Sequence, residues 1–210
     1  MLTQKKGQTR VRLRCACHNF TMLILASASP RRRELLTQAG FTFQIHPAHI
    51  PEEPNPGEDP IAYVVRLARE KAEAVFAEFC TNSADNLVVL GADTTVTLDN
   101  HILGKPEDAA DAARMLRLLS GRTHRVMTGV AVVTAERIEV AAEVTGVTFC
   151  TLSDQDIAGY VATGEPMDKA GAYAIQGLAS KFIERIDGCY FNVVGLPVAL
   201  VFRNLRRKSL

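Results

Sequence analysis

The feature that most constrains the fold is an all-apolar run that leads directly into a helix start. Residues 23–26 have the composition of a short buried strand, and Ser29-Pro30 follows. Ser is favoured at the N-cap and Pro in the first helical turn, so the sequence predicts a helix from there to about Gly40. Asp59-Pro60 repeats this signature and opens a longer amphipathic helix. Strands that alternate with such helices predict a mixed α/β domain.

The remaining segments extend this pattern without a repeat or a clean linker, so we expect a single domain over residues 22–210. Strand and helix signals alternate, and their predicted bounds follow. Strands are predicted over 41–46, 87–90, 95–98, 101–103, 126–134, 138–149, 172–175 and 182–186, and helices over 60–79, 107–119, 153–163 and from 197. Ser153 and Asp156 have the spacing of a capping box.

Composition and charge exclude several classes of protein. The 210 residues are 47% hydrophobic and 22% charged, which suits a packed core, and their net charge of +1 argues against a nucleic-acid binder. Residues 1–21 contain basic side chains but no acidic ones, and we expect this segment to be a disordered basic extension. The alternatives are a transit peptide or a translation start at Met22. No apolar run reaches the roughly 20 residues of a membrane span. Five cysteines without a CxxC pair indicate the reducing cytoplasm.

An anion site is predicted where the first strand meets the first helix. Ser27-Ala-Ser29-Pro30-Arg31-Arg32-Arg33 combines small residues, free amides at a helix start and guanidinium donors. Basic residues in a first helical turn oppose the helix dipole, and a bound anion would offset that cost. The alternative is a capped helix with a solvated basic turn.

A carboxylate site is predicted at Asp93, directly after an apolar strand. Ligands of open α/β sheets bind beyond the carboxyl ends of strands, where Asp can hold magnesium or orient water. Taken alone, Asp93 could equally form a turn, Lys71 and Lys105 could be surface lysines, and Glu52-Glu53 could be a solvated pair. Near the end of the chain, the Gln176 amide offers a donor and an acceptor that match a uracil-type base, or a backbone partner.

Taken in order, these motifs resemble the Maf family of nucleoside triphosphate pyrophosphatases. The resemblance covers about residues 22–205 and is carried by the following motifs: Ser27-x-Ser29-Pro30-Arg31-Arg32, Glu70-Lys71, Gly91-Ala-Asp93-Thr94, Lys105-Pro106, Leu119-Ser120-Gly121 with His124, Thr128-Gly129, Asp168-Lys169-Ala-Gly171-Ala-Tyr173, Gln176-Gly177 and Val194-Gly195-Leu196-Pro197. It implies a Maf/inosine-triphosphatase-like α/β fold with a mixed twisted sheet flanked by helices and two lobes around one cleft. It also implies a homodimer.

The resemblance further implies roles for individual residues. The enzyme would hydrolyse a nucleoside triphosphate to the monophosphate and pyrophosphate, and it would use a divalent cation, Mg²⁺ or Mn²⁺. Asp93 would be the catalytic and metal-linked residue, and Glu53 or its neighbour Glu52 would assist the metal. The residues that would handle the triphosphate are Ser27, Arg31, Arg32, Lys71 and Lys105. Those that match the dTTP/UTP subgroup are Arg31, Thr94 and Gln176, whereas a sister subgroup acting on 7-methyl-GTP has Gln in place of Thr94.

Three rival functions stay open at this level. The chain could act on modified nucleotides with the same chemistry, or it could be a nucleotide-binding regulator of cell division without turnover. The polar set around Asp93 argues against pure binding, because a binder does not need a carboxylate beside phosphate. A nucleic-acid module using the two basic ends of the chain, residues 1–21 and 203–208, ranks last, since no aromatic strip accompanies them.

Overall fold

A computed structural model describes residues 22–80 and 86–206. The predicted basic extension, residues 1–21, lies outside the described residues. The strands are β1 (Met22–Leu25), β2 (Gln44–Ile45), β3 (Leu87–Leu98), β4 (His101–Leu103), β5 (Thr123–Val133), β6 (Ile138–Phe149) and β7 (Ile183–Asp187). The helices are α1 (Pro30–Gln38), α2 (Pro60–Phe79), α3 (Ala109–Leu119), α4 (Asp154–Val161), α5 (Tyr190–Val194) and α6 (Val198–Arg206). This confirms the mixed α/β prediction. Among these helices, none combines the length and hydrophobicity that a membrane crossing requires.

One mixed sheet of seven strands organises the chain. Its order is β2-β1-β3-β5-β6-β7, with β4 paired to β3. β1 is parallel to both β2 and β3, whereas β3, β5, β6 and β7 are joined as antiparallel neighbours. β1 ends opposite the first third of β3, where Leu25 pairs with Leu90. Beyond that point β3 runs on without β1 beside it, and this opens a space above the end of β1.

Alternation along the strands assigns their side chains to two faces of the sheet. Even-numbered residues of β3, such as Leu90 and Ala92, pack with α1 and α6, while odd-numbered residues, such as Val89, pack with α2. A separate core joins α3 and α4 to the far end of β3 and to residues 172–182. We call this group of elements the second lobe. The period of two places Asp93 on the α2 face and Thr94 on the α1 face.

Two glycines let α2 lie unusually close to the sheet. A Cβ on Gly91 would sit 2.0 Å from the Ala68 carbonyl oxygen, and one on Gly129 would sit 2.2 Å from that of Val64. Only residues without a side chain allow this approach. As a result the next turn of α2, which carries Lys71, lies within reach of β3.

The prediction that a strand ends before Asp93 is wrong. Residues 87–98 form one continuous strand, with Asp93 near its middle and paired with Gly129 of β5. The pattern suggested a break because Gly91, Asp93 and Thr94 interrupt the apolar run. Asp93 nevertheless borders the space above the end of β1, because β1 has ended there whereas β3 continues.

The strand predicted over residues 172–175 is also wrong. Gly171 and Ala172 have positive φ values of 70° and 60° inside a short 3-10 turn, which no strand adopts. Their main-chain groups bond across the fold, as when the Gly171 amide donates to the Gly104 carbonyl at 3.0 Å. The capping box of Ser153 and Asp156 is confirmed, as is the side-chain cap of Asp59 on α2. Ser29 occupies the N-cap of α1 but makes no side-chain cap bond.

Candidate active site

A cleft of about 890 Å³ lies between the two lobes, above the end of β1. Ten candidate site residues predicted from the sequence line it, and they come from six separate segments of the chain. They are Ser27, Arg31, Arg32, Glu52, Glu53, Lys71, Asp93, Thr94, Lys105 and Gln176. The structure therefore brings the predicted site residues together in one place.

The centre of the cleft is an ion-paired cluster of Lys71, Asp93 and Glu52. The Lys71 ammonium lies 2.7 Å from Asp93 Oδ1 and 2.5 Å from Glu52 Oε1. Lys71 and Asp93 are only 7% and 8% exposed, whereas Glu52 is reached by solvent. Burial disfavours ionisation of Glu52, but the hydrogen bond and charge of Lys71 outweigh it and lower the pKa of Glu52. The cluster holds two carboxylates around one buried cation.

The loop before α2 is fastened so that Glu52 reaches this cluster. The Tyr63 hydroxyl donates to the Glu52 carbonyl at 2.6 Å, and Arg66 Nη2 donates to the Glu53 carbonyl at 3.1 Å. Arg66 also forms a two-point ion pair with Glu58, with both distances 2.7 Å. Burial, together with the charges of Asp93 and Glu52, raises the pKa of Tyr63 to about 12. Of the two adjacent acids, Glu52 is the one whose carboxylate contacts Lys71.

Arg32 ties three parts of the site to one another. Its Nε donates to the Gly195 carbonyl at 2.9 Å, and its Nη1 donates to Ser27 Oγ and to the Ala92 carbonyl at 3.0 and 2.8 Å. Its Nη2 donates to Thr94 Oγ1 at 3.0 Å. Burial lowers the pKa of Arg32, against the charge of Asp93. Four of its five N–H donors are thus used within the protein, so its predicted contact with phosphate would depend on the remaining one.

The start of α1 presents groups that suit an anion. Because Ser29 does not cap the helix with its side chain, the amides of Arg31 and Arg32 keep their N–H groups for another acceptor. Ser27 Oγ accepts from Arg32 and from the Ser29 amide, so the hydroxyl hydrogen is available to a ligand. Arg31 is half-buried at the cleft and is the guanidinium of this turn that the scaffold leaves for binding.

The far wall of the cleft comes from the second lobe. Lys105 is exposed there, and its charge contributes to the lowered pKa of Glu52. Lys169, for which the sequence predicted no role, also lines this wall, and its Nζ donates to the Glu165 carbonyl at 2.7 Å. Its position beside Asp168, in the small-residue run before Gln176, was the signal that could have found it. Tyr63 was also missed, and the amphipathic pattern of α2 gave no signal for it.

Gln176 and Thr94 occupy different environments in the cleft. Gln176 is exposed at the top of a turn of the second lobe. The Thr94 hydroxyl instead lies among protein partners, 2.9 Å from Thr128 Oγ1 and 3.0 Å from Arg32 Nη2. Gln176 can therefore meet a ligand directly, while Thr94 reaches one as part of the Arg32 network.

The acidic side chains of the cleft are few. No group of three or more His, Cys, Asp or Glu side chains within residues 22–80 and 86–206 is arranged to hold a metal. Mg²⁺, however, is commonly bound by one or two carboxylates together with substrate phosphates. Asp93 and Glu52, which share Lys71, match that kind of site. The residues therefore fit a cation that is held jointly with a bound polyphosphate.

Comparison with known proteins agrees with this chemistry. The family model described as Maf-like protein matches residues 22–208. The dTTP/UTP pyrophosphatase of Koribacter versatilis (strain Ellin345) is 56% identical over 185 residues, covering 88% of this chain and 93% of that protein. The dTTP/UTP pyrophosphatase of Shigella sonnei (strain Ss046) is 55% identical over 186 residues, covering 89% and 92%. A nucleoside triphosphate pyrophosphatase of Shigella flexneri is 54% identical with the same coverage.

Proposed function

Because this chain belongs to the Maf family, we propose that it is a nucleoside triphosphate pyrophosphatase that hydrolyses dTTP and UTP to the monophosphate and pyrophosphate. The observation that carries the proposal is the nearly buried Asp93–Lys71 pair, which faces an uncapped, basic helix start across one cleft. A carboxylate beside a polyphosphate site is needed for chemistry rather than for binding. This pairing favours an enzyme over a nucleotide-binding regulator.

Phosphate binding falls to groups on both walls of the cleft. On one wall, the free amides of α1, the Ser27 hydroxyl and the Arg31 guanidinium would contact phosphate oxygens. On the other wall, Lys105 would neutralise charge at the opposite end of the triphosphate. Arg32 would act mainly through Ser27 and Thr94, whose hydroxyls it holds in place.

Asp93 would accept the proton of the water that attacks the α-phosphorus. The new bond joins the water oxygen to the α-phosphorus, the bond from that phosphorus to the bridging oxygen breaks, and pyrophosphate leaves with the electron pair. The Lys71 ammonium, beside Asp93, would offset the negative charge that builds up on the phosphoryl oxygens. A divalent cation, Mg²⁺ or Mn²⁺, would be held by Asp93 and by Glu52, the acid that reaches the cluster, and would supply charge neutralisation.

We also propose that the protein is cytoplasmic and forms a homodimer. Cys80, Cys150 and Cys189 are all free thiols, which suits the reducing cytoplasm. A homodimer is expected from membership of the family.

Replacing Gln176 with alanine tests the assignment of the base site. The exposed Gln176 amide offers a donor and an acceptor to the base, so its removal is expected to lower the preference for dTTP over dATP by about tenfold, the value of one hydrogen bond. The measurement is kcat/KM for both nucleotides, with pyrophosphate as the product detected. An unchanged ratio in a folded variant would refute the role of Gln176.

A further inference from the structure

The turn that carries Gln176 is bonded at both ends to two side chains of the preceding segment. At its start, the Ala174 amide donates to the Tyr160 hydroxyl at 3.3 Å. At its end, the Leu178 amide donates to Glu165 Oε2 at 3.1 Å. The Tyr160 hydroxyl in turn donates to Glu165 Oε1 at 2.9 Å. Tyr160 and Glu165 thus form a bracket that closes around residues 174–178.

The bracket leaves the turn little freedom. A Cβ added to Gly177, next to Gln176, would lie 2.3 Å from Glu165 Oε1, so the carboxylate fills the space beneath the turn. Inside the turn, the Gly177 amide donates to the Ala174 carbonyl at 3.1 Å. The main chain on both sides of Gln176 is therefore fixed by hydrogen bonds and by contact with Glu165.

The bracket is itself anchored in the second lobe. Tyr160 is 2% exposed, and its ring packs edge-to-face on Phe182 with 5.5 Å between the centroids. Burial, with the hydrogen bond and charge of Glu165, raises the pKa of Tyr160, so the hydroxyl stays a donor at neutral pH. The Glu165 amide donates to Thr163 Oγ1 at 3.2 Å, and Lys169 Nζ binds the Glu165 carbonyl. The turn thus rests on a rigid support.

We infer that Tyr160 and Glu165 are positioning residues for nucleotide specificity, because they hold the Gln176 turn at one place in the cleft. The inference rests on the proposed function, since it acts through recognition of the base by Gln176. A hydrogen bond to a base discriminates only if its donor and acceptor are held within about 0.5 Å of the productive position. Cutting the bracket would let the turn shift and would weaken selection of the base while leaving the phosphate site intact.

Tyr160→Phe and Glu165→Gln cut the bracket with small changes in shape. Phenylalanine keeps the ring that packs on Phe182 but has no hydroxyl for Ala174 or Glu165. Glutamine keeps the shape of Glu165 but has one acceptor oxygen where two now accept, so the Tyr160 hydroxyl or the Leu178 amide loses its present acceptor. Each variant is expected to lower the ratio of kcat/KM for dTTP over dATP by about tenfold, mainly through a higher KM for dTTP.

Matched controls separate this effect from a general loss of structure. Tyr190→Phe on α5 and Glu184→Gln on β7 make the same chemical changes at exposed positions. Both are expected to keep the wild-type ratio. A merely structural defect in the bracket variants would lower activity toward both nucleotides alike and would not change their ratio. If Tyr160→Phe does not fold, Glu165→Gln carries the same test.

The bracket variants are then combined with Gln176→Ala. If the bracket works through Gln176, Tyr160→Phe lowers the ratio in the wild-type background and has no further effect on it in the Gln176→Ala background. A ratio that Tyr160→Phe and Glu165→Gln leave unchanged, while Gln176→Ala lowers it, overturns the inference alone. If Gln176→Ala itself leaves the ratio unchanged, both the inference and the assigned base site are overturned.

Discussion

Asp93→Asn is expected to fold and to lower kcat for dTTP by about 10²–10³. Asparagine has nearly the same shape, but it accepts no proton from water at neutral pH and carries no charge opposite the Lys71 ammonium, 2.7 Å away. Folding should survive because Lys71 keeps Glu52 as a partner. The measurement is pyrophosphate release over a range of dTTP concentrations, so that kcat and KM are obtained separately.

The control for this variant is Asp187→Asn on β7, which makes the same chemical change at an exposed position. It should release pyrophosphate at the wild-type rate. If Asp93→Asn is folded and its kcat lies within twofold of wild type, Asp93 is not the residue that activates water. The carboxylate of Glu52 would then be the next group to test.

Arg32→Lys is expected to reduce the free energy of unfolding by about 3 kcal/mol, although it preserves the charge. Lysine cannot reproduce the fork that serves Ser27, Thr94 and the carbonyls of Ala92 and Gly195 at once. Buried acceptors that lose their donor each cost about 1–3 kcal/mol. Urea unfolding of both proteins, fitted with one common m-value, measures this difference in the free energy of unfolding.

The neighbouring arginine provides the comparison within the same helical turn. Arg31→Lys changes a half-buried side chain at the cleft, so it should shift the free energy of unfolding by less than about 0.5 kcal/mol and should raise KM instead. Wild-type stability of Arg32→Lys with a raised KM would contradict the scaffold role. Arg32 would then be chiefly a phosphate ligand, as the sequence alone predicted.

The features that the sequence predicted correctly are local ones. The cap of Asp59, the capping box of Ser153 and the helical period of α2 each depend on residues within a few positions of one another. The strands predicted over 95–98 and 101–103 are likewise confirmed, since the end of β3 pairs antiparallel with β4 two residues later. Interactions of that range are set by the same propensities in a peptide and in a fold.

The features that the sequence could not predict depend on distant partners. Arg32 meets Thr94 and Gly195, 62 and 163 positions away, so its basic turn gave no sign that the side chain is buried. The sequence could not predict which of Glu52 and Glu53 contacts Lys71. Tyr63 and Arg66 decide this, because they hold the main chain of a Pro-rich loop without regular structure.

The two errors in secondary structure also have distant causes. Asp93 was placed after a strand because Gly91, Asp93 and Thr94 interrupt the apolar run, whereas pairing with β5 continues β3 through these residues. Residues 172–175 were assigned to a strand, whereas the Ala174 amide bonds the Tyr160 hydroxyl and begins the turn of residues 174–178. Main-chain groups that bond side chains leave no periodic pattern to detect.

In the proposed reaction, water attacks the α-phosphorus of a pyrimidine triphosphate. The most direct test incubates the full chain and Mg²⁺ with equal concentrations of dTTP, UTP, dCTP and the purine triphosphates in ¹⁸O-labelled water, and locates the label by mass spectrometry. We expect dTTP and UTP to be consumed first, with one ¹⁸O in each monophosphate and none in pyrophosphate. Label in pyrophosphate, release of a diphosphate with inorganic phosphate, or equal consumption of all the triphosphates would contradict it.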